Sequence, residues 1–219
     1  MLTPAEWSAV ERSLALATGA TALVLIPGLL LGGLFARRTF PGKTLLELLV
    51  LLPLVLPPTV TGYGLLVLFG RNGPLGGLEF LFTWKAMLLS AAVVGFPLLV
   101  RSAQAAFEAV DPKLGSAART LGCSAAGAFL RVTLPLAWPG LLAGVVLCFA
   151  RGLGEFGATR MVSLNTPGQR TLALEIYSLV ETPGDHTAAL LRLVLVSVLL
   201  SALALLASTA LTRRWRPTP

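Results

Sequence analysis

The chain has 219 residues, 55% hydrophobic and 12% charged, with a mean hydropathy of +0.82 and a formal net charge of +7. A soluble domain carries roughly twice that charged fraction, so a soluble enzyme is excluded and one membrane domain is expected. The apolar residues lie in long blocks, and runs of about 18 or more mark helices that cross a bilayer. The expected fold is an all-α integral membrane bundle of about five transmembrane helices.

In chain order, the first span is expected over Ser13 to Ala36. Acidic Glu6 and Glu11 precede it, where a cleavable signal would need positive charge, so no signal peptide is expected. The second span runs from Leu45 to Phe69 and contains "LLPLVLPPTVTGYG". Pro53, Pro57, Pro58, Gly62 and Gly64 interrupt it, and Thr59 and Thr61 add hydroxyls. Proline removes a backbone donor and clashes with the preceding turn. Such breaks survive where the freed groups face protein or a water-filled path. The segment reads either as a translocation path or as a kinked packing helix.

The third span runs from Ala86 to Phe107, with Gly95 and Pro97 as a milder interruption. A cytoplasmic loop over 111–135 follows. Asp111-Pro112 reads as a helix start, an N-cap before proline in the first turn, and "KLGSAARTLG" closes on Gly122. A short helix faced with alanine can seat deeply in a groove of another protein. An interfacial lipid-binding helix would want large apolar side chains, which Ser116, Ala117 and Ala118 lack.

The fourth span opens at Leu134, with Pro135 and Pro139, and runs at least to Ala150. Near its end "ARGLGEFGATR" carries Arg151 and Glu155, four apart and able to pair, followed by Phe156 and Gly157. Intramembrane charges are costly and face the bundle interior. The pair reads either as a helix clamp or as a polar gate. The segment from Thr171 to Val180 is too short to span and is expected as a short helix outside the hydrocarbon. The last span runs from Ala188 to Leu211.

Lysine and arginine accumulate in cytoplasmic loops. Five spans put ten such residues on one side, among them Arg37, Lys43, Arg119 and Arg213, and five on the other, among them Arg12 and Arg160. The N-terminus is therefore expected outside and the C-terminus inside. The permease domain covers 9–212, with a basic cytoplasmic tail at 213–219.

Other chemistries are not expected. The basic residues form no face interleaved with aromatics, so nucleic acid is not a partner. Cys123, Cys148 and the single His186 lack metal-ligand spacing. In "PGKT", Pro41 to Thr44, the glycine that a phosphate-cradling loop needs is replaced by Arg37. No catalytic residues and no cofactor site are expected.

The 111–135 loop resembles the coupling loop of ABC importer permeases, whose pattern is E-A-A, three residues, Gly, nine residues, Ile-x-Leu-Pro. Here Ser116, Ala117 and Ala118 are followed by Gly122, then Val132, Leu134 and Pro135 at the same spacing. Ser116 stands for the glutamate and Val132 for the isoleucine. "TFPGK", "LPLVLPPTVTGYGLLVLFGRNGPLG", "AARTLG" and "ARGLGEFGA" are similar to the molybdate-type permease of that superfamily. The resemblance implies a type I importer fold. It also implies a homodimer, two ATPase subunits on the cytoplasmic side that use ATP and Mg, and a periplasmic oxyanion-binding protein above. It implies a bacterial inner membrane location. The ATPase seat is then Ser116, Ala117, Ala118, Leu121 and Gly122, with Val132, Leu134 and Pro135 behind it. The path or gate is Pro57, Pro58, Thr59, Thr61, Gly62, Arg151, Glu155, Phe156 and Gly157. Tungstate and sulfate permeases are close relatives, so these anions stay open.

A dianion entering a cell that is negative inside works against about 4.6 kcal/mol per 100 mV, which calls for an energy source. The membrane core offers few cations, chiefly Arg101, Arg151 and Arg192. A membrane assembly or scaffold protein would explain the spans but not the coupling loop. The remaining class is a secondary transporter or channel. It would need its own ion site, and the sequence displays no repeated pair of broken helices.

Overall fold

The computed structural model describes residues 2–164, 166 and 169–214, with no side-chain description for 211–214. The expected tail at 213–219 lies outside the described side chains.

The first helix, α1 (Pro4–Arg37), is closed by a capping box. The Glu6 N–H donates to the Thr3 hydroxyl at 3.3 Å, and the Thr3 N–H donates to the Glu6 carboxylate at 2.7 Å. Its 34 residues rise roughly 51 Å, well beyond the hydrocarbon. The second apolar block is two helices, α2 (Lys43–Val55) and α3 (Pro58–Phe69), bent by 112°. Next come α4 (Trp84–Glu108), α5 (Pro112–Thr120) and α6 (Ala125–Ala128). A five-residue π-helical stretch, Phe129–Thr133, joins α6 to α7 (Leu134–Leu153). The chain ends with α8 (Gly157–Val162), α9 (Leu172–Glu181) and α10 (Thr187–Arg214).

Small residues let the long helices approach closely, as is usual where lipid removes the hydrophobic drive between helices. Gly19, Gly28 and Gly32 of α1 lie against Leu88, Leu99 and Ala103 of α4, so these two helices run parallel. In α7, Gly140, Gly144 and Gly152 meet Ala106, Ser102 and Ala17, so α7 runs against both. Arg192 near the start of α10 reaches Glu6 near the start of α1. The end of the bundle that holds Thr3 is the head, and the end that holds Arg37 is the base.

The parallel pairing decides the number of crossings. Since α1 and α4 both run head to base, the chain between them must return to the head. The Lys43 ammonium donates to the Phe35 carbonyl at 2.6 Å and pins α2 to the base. At the other end the Phe82 N–H donates to the Val162 carbonyl at 3.0 Å. The pair α2–α3 is thus one broken span and no re-entrant loop. With the four helices long and apolar enough to cross alone, the described residues make five crossings, and α10 finishes at the end opposite to the start of α1.

The main core joins Leu16, Ala20 and Val24 of α1 to Met87, Ala91 and Leu99 of α4, with Cys148, Val162 and Leu174. Cys148 is filler, with the Thr21 hydroxyl 3.8 Å from its sulfur. Helix α9 does not lie free on the surface. Its Leu172 and Leu174 are buried, and the Leu172 N–H donates to the Ser13 hydroxyl at 2.7 Å, which docks α9 between α1 and α10. His186 differs from the solvated residue expected, since its Nε2 is buried beside Gly184 without a hydrogen-bond partner.

Candidate translocation path and coupling surface

The break in the second span follows from its prolines. Pro58 occupies the first turn of α3 and brings no N–H, while Leu56 is extended at φ −68, ψ 145, as a residue before proline prefers. The fourth span, expected to run at least to Ala150, ends where the helical ladder is interrupted a second time. Helix α7 stops at Leu153, and Gly154, Glu155 and Phe156 leave the helical ladder before α8 begins. Sequence pattern missed it because "GLGEFG" holds no proline.

The two breaks meet. A Cβ at Gly157 would lie 2.9 Å from the Pro58 Cβ, and one at Gly62 would lie 2.9 Å from the Ala158 backbone. Only glycine permits that approach. Glu155 stitches the joint from within, at 1% exposure. Its Oε1 accepts the Ala158 N–H at 2.8 Å, and its Oε2 pairs with the Arg151 Nη1 at 2.8 Å. The Thr159 hydroxyl donates to the Phe156 carbonyl at 2.9 Å. Phe156 packs on Tyr177 of α9 with ring centroids 5.0 Å apart, and the Arg160 guanidinium sits over the same ring at 5.4 Å. Tyr177 and Arg160 were not legible as parts of this site, since their approach depends on where α9 docks. A Glu181 carboxylate accepting from the Tyr177 hydroxyl holds that phenol above its ordinary pKa.

Pro57, Pro58, Thr59, Thr61, Gly62, Arg151, Glu155, Phe156 and Gly157 are therefore grouped about one paired break. Thr59, Val60 and Tyr63 are exposed, and the Thr61 hydroxyl is buried without a hydrogen-bond partner. Two of the cations expected in the membrane core are neutralised, Arg151 by Glu155 and Arg192 by Glu6 at 2.7 Å. Arg101 is exposed and donates to the Gln104 side chain at 3.1 Å.

At the base, α5 is closed at both ends by its own residues. The Asp111 carboxylate accepts the Lys113 N–H at 2.8 Å. The Cys123 N–H donates to Ala118 O and the Gly122 N–H to Arg119 O, both at 3.0 Å, with Gly122 at φ +92. This is the glycine-terminated C-cap in which a left-handed residue closes the last turn. The Ser116 hydroxyl turns back onto the Pro112 carbonyl at 3.2 Å. Ala117 is exposed, Ala118 is half-buried and Leu121 is 86% exposed, so an apolar knob stands free at the tip. Val132 and Leu134 are half-buried behind it and Pro135 is exposed. Pro135 has no N–H for the Arg131 carbonyl, and the Leu134 N–H bonds instead to Phe129 O, which produces the π turn. The run from Ala125 to Leu153 is thus one continuous rod of 29 residues from the coupling loop to the paired break.

The family model described as "Binding-protein-dependent transport system inner membrane component" matches residues 28–217. The Molybdenum transport system permease protein ModB of Escherichia coli K12 is 46% identical over 221 residues, covering 97% of this chain and 96% of that protein. The protein of the same name from Haemophilus influenzae is 47% identical over 219 residues, covering 95% of this chain and 94% of its own. The Molybdate/tungstate transport system permease protein WtpB of Thermococcus kodakarensis is 35% identical, covering 78% of this chain and 66% of its own. Among solved structures, an inward-facing MetNI methionine ABC transporter has a TM-score of 0.76 at 19% identity, covering 99% of this chain and 100% of that one.

Proposed function

The chain belongs to the family of binding-protein-dependent transport system inner membrane components and is a permease subunit of the ABC importer type, and from that premise we propose that it imports molybdate as a homodimer. Catalysis of ATP hydrolysis resides in a separate subunit of such transporters. In this reading two ATPase subunits, charged with ATP and Mg, seat the α5 knob at the base, and a periplasmic oxyanion-binding protein docks at the head. The head faces outward and the base inward, in keeping with the ten-to-five division of basic residues.

One observation carries the reading: a self-capped helix with Leu121 86% exposed, joined by an unbroken rod to a paired break in the membrane. Motion of α5 would travel along α7 to Arg151 and Glu155. Because α8 and α3 touch backbone to backbone at Gly62, the same motion would reach the second span. The path holds little unneutralised charge, which suits passage of a dianion rather than its capture. Selection would then belong to the binding protein.

The test is reconstitution of the chain with its ATPase subunits and binding protein in vesicles. Expected is ATP-dependent uptake of molybdate, with tungstate accepted and sulfate weaker. Uptake without the ATPase would overturn the importer reading, and uptake of sulfate alone would overturn the cargo. Reporter fusions within 165–185 and after Pro219 are expected to report opposite faces of the membrane.

A further inference from the structure

We propose that a cavity at the head, between α1, the start of α4 and the segment after α8, holds a tetrahedral oxyanion at the mouth of the path. This rests on the importer reading for its cargo and on the head facing outward. The cavity measures about 270 Å³ and is lined by Arg12, Thr83, Trp84, Ser163 and Gln169, with Met87 and Leu174 among the apolar walls. At about 30 Å³ per water, it has room for an XO4 dianion and some of its hydration.

Two of the polar groups lining it are unspent. Arg12 makes no hydrogen bond or ion pair among the described residues, and its Nε is buried. Ser163 is only 7% exposed, and its hydroxyl is buried with no hydrogen-bond partner. Buried polar groups are nearly always hydrogen-bonded, so one without a partner calls for an explanation. Among the described residues no carboxylate lines the cavity, and the nearby Glu175 is taken by Arg170 at 3.4 Å.

The donors outnumber the acceptors. The guanidinium and the Trp84 indole can only donate, and the Ser163 hydroxyl and the Gln169 amide add further N–H and O–H groups. The one competing hydroxyl is occupied, since Thr83 donates to the Phe80 carbonyl at 2.7 Å and accepts the Ala86 N–H at 3.3 Å. A ligand for such a cavity offers acceptors alone and carries negative charge. A fully ionised molybdate or sulfate meets both conditions, and the fork of Arg12 matches paired oxygens.

The position gives the site its use. Ser163 directly follows α8, whose Met161 packs at Gly62 and whose Val162 carbonyl accepts the Phe82 N–H at 3.0 Å. The cavity is therefore a polar space directly next to the paired break on the head side. An anion leaving a docked binding protein would pause there before entering the path.

The test is equilibrium binding of radiolabelled sulfate, displaced by molybdate, to the permease–ATPase complex in nanodiscs without binding protein. Expected is saturable binding, weakened by about tenfold or more in Arg12→Gln, the loss of a charge-assisted hydrogen bond. Arg12→Lys should restore most of it, and Ser163→Val should weaken it several-fold, with thermal midpoints checked for each variant. No saturable binding in the wild type, or equal binding in Arg12→Gln and Ser163→Val, would overturn the proposal. Failure of the importer reading looks different: the wild-type complex then takes up no oxyanion from a loaded binding protein.

Discussion

The coupling loop and the paired break both interrupt a helix, yet their freed backbone groups are satisfied in different ways. In the loop, each bond runs between residues close in sequence: Asp111 to Lys113, Ala118 to Cys123, Ser124 to Gly127. Its outer face stays free, with Leu121 standing out. At the break, Glu155 caps α8 locally, but the joint is completed by Pro58 and Gly62 from a different span. A turn closed by its own residues keeps its shape while a partner comes and goes. A joint shared by two spans makes the bending of one felt by the other.

That difference predicts opposite responses to substitution. The largest effect on stability is expected for Glu155→Ala, which leaves Arg151 unpaired and the Ala158 N–H uncapped. Removing one member of a buried pair costs about 3–5 kcal/mol. Arg151 keeps 27% side-chain exposure and can partly rehydrate, so the lower end is expected. Thermal unfolding in detergent measures it, and Glu155→Gln, which retains the cap, should fall between the two. An unchanged midpoint for Glu155→Ala would mean that the pair does not hold the break.

Gly62→Val comes next. Its side chain would be driven into the Ala158 backbone and Met161, and overpacking costs about 1–3 kcal/mol. Loss of oxyanion uptake should accompany the lower midpoint, because α3 and α8 would be forced apart. Gly64, with open space around it, is the control, and Gly64→Ala should be close to neutral.

The smallest effect on stability, and the largest on assembly, is expected in the loop. Leu121→Asp should leave the midpoint within about 0.5 kcal/mol, as for other exposed positions. Ala118→Trp should overfill the ATPase seat by about 1–3 kcal/mol, a five- to hundredfold loss in ATPase pull-down. If Ala118→Trp assembles and couples like the wild type, the loop is not the seat and the contrast with the break collapses.

Much of this was legible in the residue order. Five apolar blocks, the capping of α5 by Asp111 and Pro112, and its closure at Gly122 all arise from interactions within a few residues, so local pattern reports them. Arg151 and Glu155 were legible as a pair for the same reason, being one helical turn apart. The tertiary structure alone decided what depends on distant approach. It made the second block a broken crossing, because α1 and α4 run parallel through their glycines. It ended the fourth span at Leu153 and brought the turn that follows onto Pro58. It seated Tyr177 against Phe156, and it gathered Arg12 and Ser163 around one cavity. None of these has a period or a spacing, since each is fixed by which small side chains let two backbones come together.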